Sequence, residues 1–466
     1  MWIPGAPPYT AERPLRVAVI GAGPAGIYAA EALTRQDDIP VAVDLLDRLP
    51  TPFGLVRHGI APDHAKMRAL RETMHRTLDD PSVRFVGNVE VGVDVTLPQL
   101  RACADAVIYT YGASGDRRLD IPGESLAGSL AATDVVAWYC GHPDADRKTV
   151  EEALARARSV VVVGVGNVAL DVARVLARAP SELEPTEMPQ HVLAALDAAP
   201  VEDVIVLGRR GPAQASFTTQ ELRELDSLAQ ATVLVDPADL VTESSSPGAP
   251  ADRAVARNLA VLRGWVDHVA QPGAVRLMLR FHRRPVRLLG EDRVTGIEVE
   301  RTVVDAAGHA TGTGELSVLP ADLVVRSVGY RGHPLPGLEV DPRSGTVSNV
   351  AGRVLRDGAL SRGEYVAGWI KRGPTGVVGT NKHDARETVE AVLADAVAGV
   401  LDPEAPLGDI ISVLRAQGAE PVLLVNWQAI DAAEVALGAT RGRARTTLHD
   451  REALLAAARA SAAAGP

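Results

Sequence analysis

The chain is poor in cysteine: its 466 residues include only Cys103 and Cys140, with no CxxC pair. Two thiols exclude an iron–sulfur cluster held by four thiolates, a cysteine-based zinc site and a vicinal redox disulfide. They also argue against a disulfide framework and so favour a reducing, cytoplasmic location. The 11 histidines show no spacing that predicts a metal site.

An excess of positive charge and long apolar runs are absent too. The chain has 48 Lys and Arg against 59 Asp and Glu, a net charge of -11, which argues against a general nucleic-acid binder. No apolar run approaches the ~20 residues of a membrane-spanning helix, and segment 1–16 does not resemble a signal peptide. The Ala-rich segment 456–466 has few large side chains, so we expect it to fray.

A short β-rich run at 16–20 leads directly into a glycine-rich turn that is followed by an apolar helical pattern. In this setting Gly21 makes the tight turn, Gly23 lets the backbone approach a pyrophosphate, and Gly26 lets helix and strand pack closely. The next strand ends at Asp47, whose carboxylate would accept hydrogen bonds from an adenosine ribose. A structural turn with a solvated Asp47 is the less favoured interpretation.

A second strand–turn–helix pattern begins at the valine-rich run 159–163. Its turn is the GxGxxA variant, in which Gly164 and Gly166 take the first two glycine positions and Ala169 replaces the third glycine. Two such turns predict two dinucleotide-binding domains, whereas a dehydrogenase with a single cofactor would need only one.

The residue type at the end of the following strand distinguishes the two predicted nucleotides. Strand 204–207 leads to Arg209 and Arg210. Paired guanidinium groups suit a 2′-phosphate, whereas an acid such as Asp47 suits a free ribose hydroxyl. The first turn therefore predicts FAD and the second NADP(H), with a solvated arginine pair as the alternative. The distance from the second turn to this strand exceeds the usual ~20 residues, so we interpret 180–200 as an insertion.

Four further blocks carry a family resemblance. They are LPTPFGLVRHGIAPDH at 49–64, GRRGP at 208–212, FTTQEL at 217–222 and AGWIKRGPTG at 367–376. Together with the second turn, they resemble the adrenodoxin reductase family of ferredoxin–NADP reductases, and its bacterial members most of all. The resemblance runs from about residue 16 to about residue 392.

The resemblance implies an α/β fold with two Rossmann-like domains, the NADP domain being inserted into a discontinuous FAD domain. The expected boundaries are 14–115 and 331–466 for the FAD domain and 116–330 for the NADP domain. The sequence agrees, because an apolar strand at 105–111 ends at a Gly-Ala exit and a matching strand at 323–328 returns.

The resemblance also implies, position by position, which residues contact the cofactors. For FAD they are Ala25, Asp47, Leu55, Val89, Trp369, Gly376, Val377 and Val378, beside the glycines of the first turn. For NADP(H) they are Arg117, Asn167, Val168, Ala169, Leu170, Arg209, Arg210, Glu221 and Gly376, beside Gly164 and Gly166. Core packing is the alternative for Trp369, and helix capping in the pattern Thr-x-x-Glu from Thr218 is a second role open to Glu221. The glycine cluster 373–379 precedes a helix near Asn381, whose free N–H groups would stabilise negative charge on a reduced flavin.

His64 and Glu224 match a histidine and an acid that lie near the flavin in the family. Hydride transfer depends mainly on alignment, but a His–Glu pair could relay a proton, since histidine titrates near neutrality. An equally weighted alternative is a hydrogen-bonded loop histidine that orders the site.

The implied activity is that of an NADPH:ferredoxin oxidoreductase. NADPH would give a hydride to FAD, and single electrons would pass to a ferredoxin-type iron–sulfur protein. One alternative is another FAD- and NADPH-dependent oxidoreductase of this two-domain class. Relatives that feed a synthase subunit carry N-terminal cysteine clusters, which are missing here, and thioredoxin reductases need a dithiol. A redox sensor that binds both nucleotides without turnover is a further alternative.

Ferredoxins of this class are typically acidic, so a transient, electrostatic partner needs a local basic surface. A predicted helix at 253–266 places Arg253, Arg257 and Arg263 within one arc, opposite its apolar residues. A second, less regular candidate consists of Arg280, Arg283, Arg284 and Arg287. The commoner outcome for such a pattern is a merely solvated face.

Overall fold

The computed structural model describes residues 9–240, 253–402 and 408–463. The strands in these ranges are β1 (Leu15–Ile20), β2 (Val41–Leu46), β3 (Val83–Val86), β4 (Ala106–Tyr109), β5 (Gly115–Asp116), β6 (Ser129–Ala131), β7 (Ser159–Val163), β8 (Asp203–Leu207), β9 (Ala231–Val235), β10 (Val275–Arg280), β11 (Arg283–Leu289), β12 (Gly296–Val304), β13 (Ala310–Pro320), β14 (Leu323–Arg326), β15 (Tyr330–Arg331), β16 (Asn349–Val350), β17 (Arg353–Arg356) and β18 (Ala359–Val366).

The α-helices are α1 (Pro24–Thr34), α2 (Leu55–His58), α3 (Ala65–Arg68), α4 (Leu70–Leu78), α5 (Leu97–Arg101), α6 (Ala132–Tyr139), α7 (Arg147–Leu154), α8 (Asn167–Ala177), α9 (Pro180–Leu183), α10 (Gln190–Ala198), α11 (Thr219–Glu224), α12 (Arg253–Gly264), α13 (Trp369–Arg372), α14 (Thr380–Val397), α15 (Ile410–Ala416), α16 (Leu424–Ala439) and α17 (Arg451–Ala463). None of these described helices is long and apolar enough to cross a bilayer.

The first sheet has seven strands in the order β16-β17-β18-β4-β1-β2-β3. Its interior strand β1 runs parallel to β2 and β4, with Val17 opposite Val43 and Ala106. Alternate side chains of β1 enter two different cores: Val17 and Val19 face one, and Ala18 and Ile20 face the other. Because both faces are covered, the strand is a continuous apolar run, as parallel strands usually are.

The second sheet has six parallel strands in the order β6-β14-β7-β8-β10-β9. Strand β7 is buried along its whole length. Val160 and Val162 pack into the core that contains α8, while Val161 and Val163 pack into the core shared with the antiparallel sheet β11-β12-β13. This sheet has the Rossmann-like arrangement that the second glycine turn predicts.

The second sheet is inserted into the first. The chain leaves the first sheet after β4, builds the second sheet and returns through β16 to β18, where β18 pairs in parallel with β4. The outgoing strand β5 and the returning strand β15 pair side by side, with Tyr330 opposite Asp116. The predicted fold class is therefore confirmed. The boundaries at 115/116 and 330/331 fall within this two-stranded link and stay predictions.

Two segments that the sequence analysis singled out are packed into the fold. The insertion at 180–200 contains α9 and α10 and buries Leu183, Met188 and Val192 in the core of the second sheet. The expectation of a frayed tail is wrong as far as Ala463: α17 continues to that residue, and Leu454 and Ala458 on it are buried in the first domain's core. Residues 464–466 lie outside the described ranges.

Candidate active site with two nucleotide turns

In the first glycine turn, Gly21 and Gly26 are needed for close packing, whereas Gly23 lies at an open face. Gly21 has φ 108°, and a Cβ there would lie 2.7 Å from Tyr111 Cα. A Cβ on Gly26 would overlap the carbonyl oxygen of Gly21, so this glycine lets α1 pack on β1. At Gly23 the nearest atom to a Cβ is Gly54 Cα, 3.8 Å away. Gly23 is also the N-cap of α1 and provides no side-chain cap, so the free N–H groups are available to a phosphate.

Asp47 ties this turn to the chain that follows β2. Its carboxylate accepts the N–H of Ala22 at 2.8 Å and the N–H of Leu49 at 2.9 Å. Burial raises the pKa of Asp47, although the two N–H donors oppose that rise. Behind it, the buried Val89 donates its N–H to the Asp47 carbonyl at 2.9 Å. Since each carboxylate oxygen has further lone pairs, contact with a ribose remains open and stays a prediction.

The predicted isoalloxazine region is apolar and incompletely covered. Leu55 is 37% exposed and Val377 is 64% exposed. The indole Nε1 of Trp369 is buried, has no hydrogen-bond partner among the described residues, and its ring lies 5.3 Å from that of Tyr330. A flat ring system with polar edges would cover the apolar groups and give the indole N–H an acceptor. These observations fit a flavin.

The AGWIKRGPTG block is held against the first turn by Asp384 of α14. Asp384 Oδ1 lies 2.9 Å from Lys371 Nζ, and Oδ2 accepts Arg372 Nη1 at 2.9 Å and the N–H of Gly368. A Cβ on Gly368 would lie 2.6 Å from Cβ of Ala25, so the block approaches the start of α1 closely. The sequence analysis missed Asp384 because its partners lie 12 to 16 positions upstream, beyond the reach of helical spacing.

Helix α14 starts close to where the analysis expected it. It begins at Thr380 with Gly379 as an N-cap that makes no side-chain bond. The predicted contacts Gly376, Val377 and Val378 occupy the preceding turn, where the N–H of Val377 donates to Thr380 Oγ1 at 3.1 Å. The helix start lies in the predicted segment, but the expectation of free N–H groups there is wrong: those of Thr380 and Asn381 donate to the carbonyls of Val377 and Val378 at 2.9 and 3.1 Å. Only the positive end of the helix dipole would favour negative charge on a reduced flavin there.

The glycines of the second turn have the same two roles, close packing and an open face. Gly164 has φ 138°, and a Cβ there would overlap the Ser327 carbonyl oxygen. Ala169 is fully buried at the third position, in the first turn of α8. Gly166 is the uncapped N-cap of α8, and only the Ser216 hydroxyl, at 3.3 Å, approaches its Cβ position. Of the remaining predicted contacts, Leu170 is fully buried and Val168 half-buried.

Asn167 connects this turn to α11. Its Oδ1 accepts the N–H of Thr218 at 2.8 Å, and the Thr218 hydroxyl caps α11 by accepting the N–H of Glu221 at 3.2 Å. Because the Thr218 N–H is thus taken by Asn167, the reciprocal half of a capping box does not form. The capping role offered to the Glu221 carboxylate is therefore wrong, and this carboxylate points elsewhere.

The two arginines predicted to read a 2′-phosphate are available at the end of β8. Arg209 is exposed and Arg210 half-buried, and neither forms an ion pair with a carboxylate in the described ranges. Their backbone is fixed: the Thr302 hydroxyl donates to the Arg209 carbonyl at 2.7 Å, and the His282 N–H donates to the Arg210 carbonyl at 3.1 Å. Arg117 is also exposed, directly after β5. The nucleotide roles of these residues stay predictions.

His64 and Glu224 do come together, within a larger buried cluster. His64 Nε2 lies 2.9 Å from Asp171 Oδ1 and 3.2 Å from Glu221 Oε2, and Nδ1 lies 3.5 Å from Glu224 Oε2. Burial and the Arg174 guanidinium, whose Nη2 lies 2.6 Å from His64 Nε2, disfavour a charged ring, but the hydrogen bonds to Asp171 and Glu221 outweigh them and raise the pKa of His64 to about 10. This raised pKa departs from the expectation that the histidine titrates near neutrality, and it favours a protonated ring at pH 7.

The sequence analysis missed the second cation of this cluster, Arg174. Its guanidinium is fully buried and lies 3.3 Å from Glu221 Oε2 and 3.5 Å from Glu224 Oε2. Together with His64, these two acids offer three ligand atoms within 4.8 Å of one another, a group that could hold a metal ion. Arg174, however, already supplies positive charge to both acids, so the cluster contains its own counterion.

The two candidate basic surfaces differ in whether their arginines form ion pairs. Arg253, Arg257 and Arg263 are exposed on α12, while Leu262 and Trp265 are buried beneath them. The second candidate is neutralised, since Arg280 and Arg283 pair with Asp239, Arg284 with Glu300, and Arg287 with Glu298. Of the two surfaces, only that on α12 offers accessible positive charge without an ion-pair partner among the described residues.

Fold and site together define a flavin-dependent pyridine-nucleotide oxidoreductase, with one turn for FAD and one for NADP(H). A family model described as "Pyridine nucleotide-disulphide oxidoreductase" matches residues 15–205. The "NADPH-ferredoxin reductase FprA" of Mycobacterium tuberculosis is 44% identical over 450 residues, 94% of this chain and 97% of the relative. The mitochondrial "NADPH:adrenodoxin oxidoreductase" of Arabidopsis thaliana is 37% identical over 466 residues, 96% of each chain.

A solved structure agrees with these relatives. The structure titled "Mycobacterium tuberculosis FprA in complex with NADPH" matches with a TM-score of 0.88 at 42% identity, covering 96% of this chain and 100% of that chain. The chain belongs to the adrenodoxin reductase-type family of ferredoxin–NADP reductases.

Proposed function

We propose that this protein is an NADPH:ferredoxin oxidoreductase, and that it transfers electrons from NADPH through FAD to a ferredoxin-type iron–sulfur protein. The observation that carries the proposal is the pair of glycine turns with different strand ends, an acid after the first and two accessible arginines after the second. Relatives whose names state this activity support it. Two thiols, both free, are consistent with the cytoplasmic location that we also propose.

Bound FAD would supply the ability to accept two electrons together and release them singly. The chain's own contribution is alignment. The uncapped start of α1 would hold the pyrophosphate, and Asp384 fixes the block that carries Trp369. The start of α8 and the side chains of Arg209 and Arg210 would hold NADPH. We propose that the FAD domain comprises 14–115 and 331–466 and that the NADP domain comprises 116–330.

The cluster around His64 connects the ring to the surface. Nε2 lies between Asp171 and Glu221 and 2.6 Å from Arg174 Nη2, and Nδ1 faces Glu224. Glu224 is 31% exposed and also lines a surface pocket of about 550 Å³. We propose that the raised pKa keeps the ring protonated beside the nucleotide as a fixed charge, with Glu224 Oε2 connecting Nδ1 to this pocket.

The same pocket adjoins the proposed docking surface. Its lining residues are Thr219, Gln220, Arg223, Glu224, Ser227 and Arg257. Arg257 therefore belongs both to the α12 basic surface and to the rim of a depression that ends at the His64 cluster. We propose that an acidic ferredoxin docks transiently here through charge, because its carboxylates would meet uncompensated arginines.

An anaerobic titration tests the proposed function. Purified FAD-loaded protein is mixed with NADPH or NADH, and the flavin absorbance near its visible maximum is followed. Oxidised ferredoxin is then added, and its reduction is followed. We expect fast bleaching by NADPH, slower bleaching by NADH, and reoxidation by ferredoxin. Flavin that stays oxidised in NADPH would contradict the proposal and would favour a nucleotide-binding sensor instead.

A further inference from the structure

A buried guanidinium joins two segments that belong to opposite sides of the predicted active site. The loop between α2 and α3 carries Asp63 and His64 and precedes α3 on the flavin side. Helix α8, which starts at the second glycine turn, carries Arg174 on the nucleotide side. Arg174 Nε donates to Asp63 Oδ2 at 2.7 Å and Nη2 donates to Asp63 Oδ1 at 3.0 Å, a two-pronged pair that fixes both distance and orientation.

The remaining face of the same guanidinium holds the acids that surround His64. Arg174 Nη2 lies 2.8 Å from Asp171 Oδ1, and Nη1 lies 3.3 Å from Glu221 Oε2 and 3.5 Å from Glu224 Oε2. One fully buried side chain therefore contacts Asp63 and three further carboxylates, in helices α8 and α11. Its hydrogen bonds to Asp63 keep the pKa of that carboxyl below its usual value despite burial.

We propose that Arg174 is the positioning residue that sets the alignment between the flavin side and the NADPH side of this site. The inference rests on the proposed function and adds a residue to it. The physical reason is that the loop bearing His64 contacts α8 through this fork, so that the position of the loop depends on one planar, rigid group. A lysine carries the charge but lacks the fork, because an ammonium is a point donor without a fixed plane.

Besides Glu221, Arg174 directly contacts the two catalytic candidates: Nη2 lies 2.6 Å from His64 Nε2, and Nη1 lies 3.5 Å from Glu224 Oε2. Its effect on the cofactors therefore passes through the positions of these side chains. The rate of hydride transfer depends steeply on alignment: a displacement of the reacting groups by about 1 Å can lower the rate on the order of 10²-fold. Loss of the fork should therefore slow flavin reduction by NADPH far more than it changes FAD content.

The experiment compares four variants as FAD-loaded holoenzymes. Arg174→Met removes the charge and the fork, and Arg174→Lys keeps only the charge. Asp63→Asn weakens the fork from the other side while leaving Arg174 paired with the acids. Arg178→Met is the matched control, because Arg178 directly follows the same helix and its Nε lies 3.7 Å from Asp63 Oδ2, and its loss leaves the fork intact. Each variant is measured for FAD content, thermal midpoint, single-turnover reduction by NADPH, and the flavin difference spectrum produced by NADP⁺.

We expect Arg174→Met to lower the reduction rate by about 10- to 100-fold, with Arg174→Lys and Asp63→Asn lying between it and the parent. The NADP⁺ difference spectrum should change shape in these three variants, because the nicotinamide would stack differently, and Arg178→Met should match the parent in both measurements. If Arg174→Met does not fold, Asp63→Asn carries the test.

A merely structural role predicts a different pattern. A lower thermal midpoint with an unchanged reduction rate per bound FAD and an unchanged difference spectrum would overturn the inference. A further variant, Arg353→Met, removes an equivalent pair with Asp395 that lies 2.8 Å apart in the first domain. Equal losses in Arg353→Met would likewise show that stability, not alignment, is responsible. A parent protein that NADPH does not reduce at all would refute the proposed function rather than this assignment.

Discussion

Substitution of a single glycine separates nucleotide binding from folding in this protein. Gly166 adopts φ -108° and ψ 176°, which alanine accepts without strain. A methyl group there meets only the Ser216 hydroxyl, at 3.3 Å, and that side chain can rotate away. Gly166→Ala should therefore fold and keep its FAD. In Gly164→Ala, by contrast, φ 138° is unfavourable and the methyl group would overlap the Ser327 carbonyl.

The new methyl group would occupy the space that the NADPH pyrophosphate needs beside the free N–H groups of α8. Losing one charge-assisted hydrogen bond costs about 1.5–3 kcal/mol, which corresponds to roughly 10- to 150-fold weaker binding. We expect the Kd for NADP⁺, measured calorimetrically, to rise by such a factor in Gly166→Ala, with FAD content and thermal midpoint close to those of the parent. Gly164→Ala should lose stability as well. If Gly166→Ala binds NADP⁺ as the parent does, the backbone of this turn does not contact the pyrophosphate, and the assignment of the second turn is refuted.

Three further predictions follow from charges. The double substitution of Arg209 and Arg210 by Ala should lower the ratio of kcat/KM for NADPH to that for NADH by at least about tenfold, since each lost contact to a phosphate is worth about 1.5–3 kcal/mol; an unchanged ratio would move the 2′-phosphate elsewhere. Reversal of Arg253 and Arg257 to Glu should slow ferredoxin reduction at low salt but leave ferricyanide reduction nearly unchanged, because only the protein acceptor needs a docking surface; equal losses with both acceptors would indicate damage to folding or NADPH binding. Burial lowers the pKa of His142 from 6.5 to about 4. As the pH falls, the unfolded chain therefore takes up a proton at this histidine before the folded chain does. The stability contributed by the neutral His142 is complete above pH 6.5 and is lost as the pH falls towards 4. His142→Gln should remove about 3 kcal/mol of that pH dependence in the free energy of unfolding, and identical curves for parent and variant would contradict the effect.

Local strand–turn–helix patterns were enough to predict the two nucleotide folds. Gly21 and Gly164 make turns that only residues without a Cβ allow, so their meaning does not depend on distant contacts. The order of the strands could not be read in the same way. The strand order depends on which apolar faces meet. In β1 and in β7, alternate side chains pack into two different cores.

The fate of the arginines shows why charge patterns alone are insufficient. Arg284 and Arg287 look as basic in the sequence as Arg257 does. Antiparallel register, however, places Arg284 opposite Glu300 and Arg287 opposite Glu298, so both cations are neutralised across the strands. On α12 no such neighbour strand exists among the described residues, so Arg257 keeps its charge free. Pairing partners far apart in sequence decide the outcome.

The same principle changes the interpretation of His64. From the sequence alone, a histidine near a flavin suggests a group that exchanges its proton around pH 7. Asp171 and Glu221 come from a separate part of the chain and hold the ring cationic, with a pKa of about 10. Such a ring cannot be an acid–base group that is half-protonated at neutral pH. A fixed positive charge, balanced by acids that Arg174 holds in turn, is instead suited to electrostatic preorganisation, because its orientation is already set before the nucleotide arrives. The two interpretations differ in one measurable respect: if His64 acts as a fixed charge, the rate of flavin reduction should be flat from pH 6 to pH 8, without an inflection near 6.5.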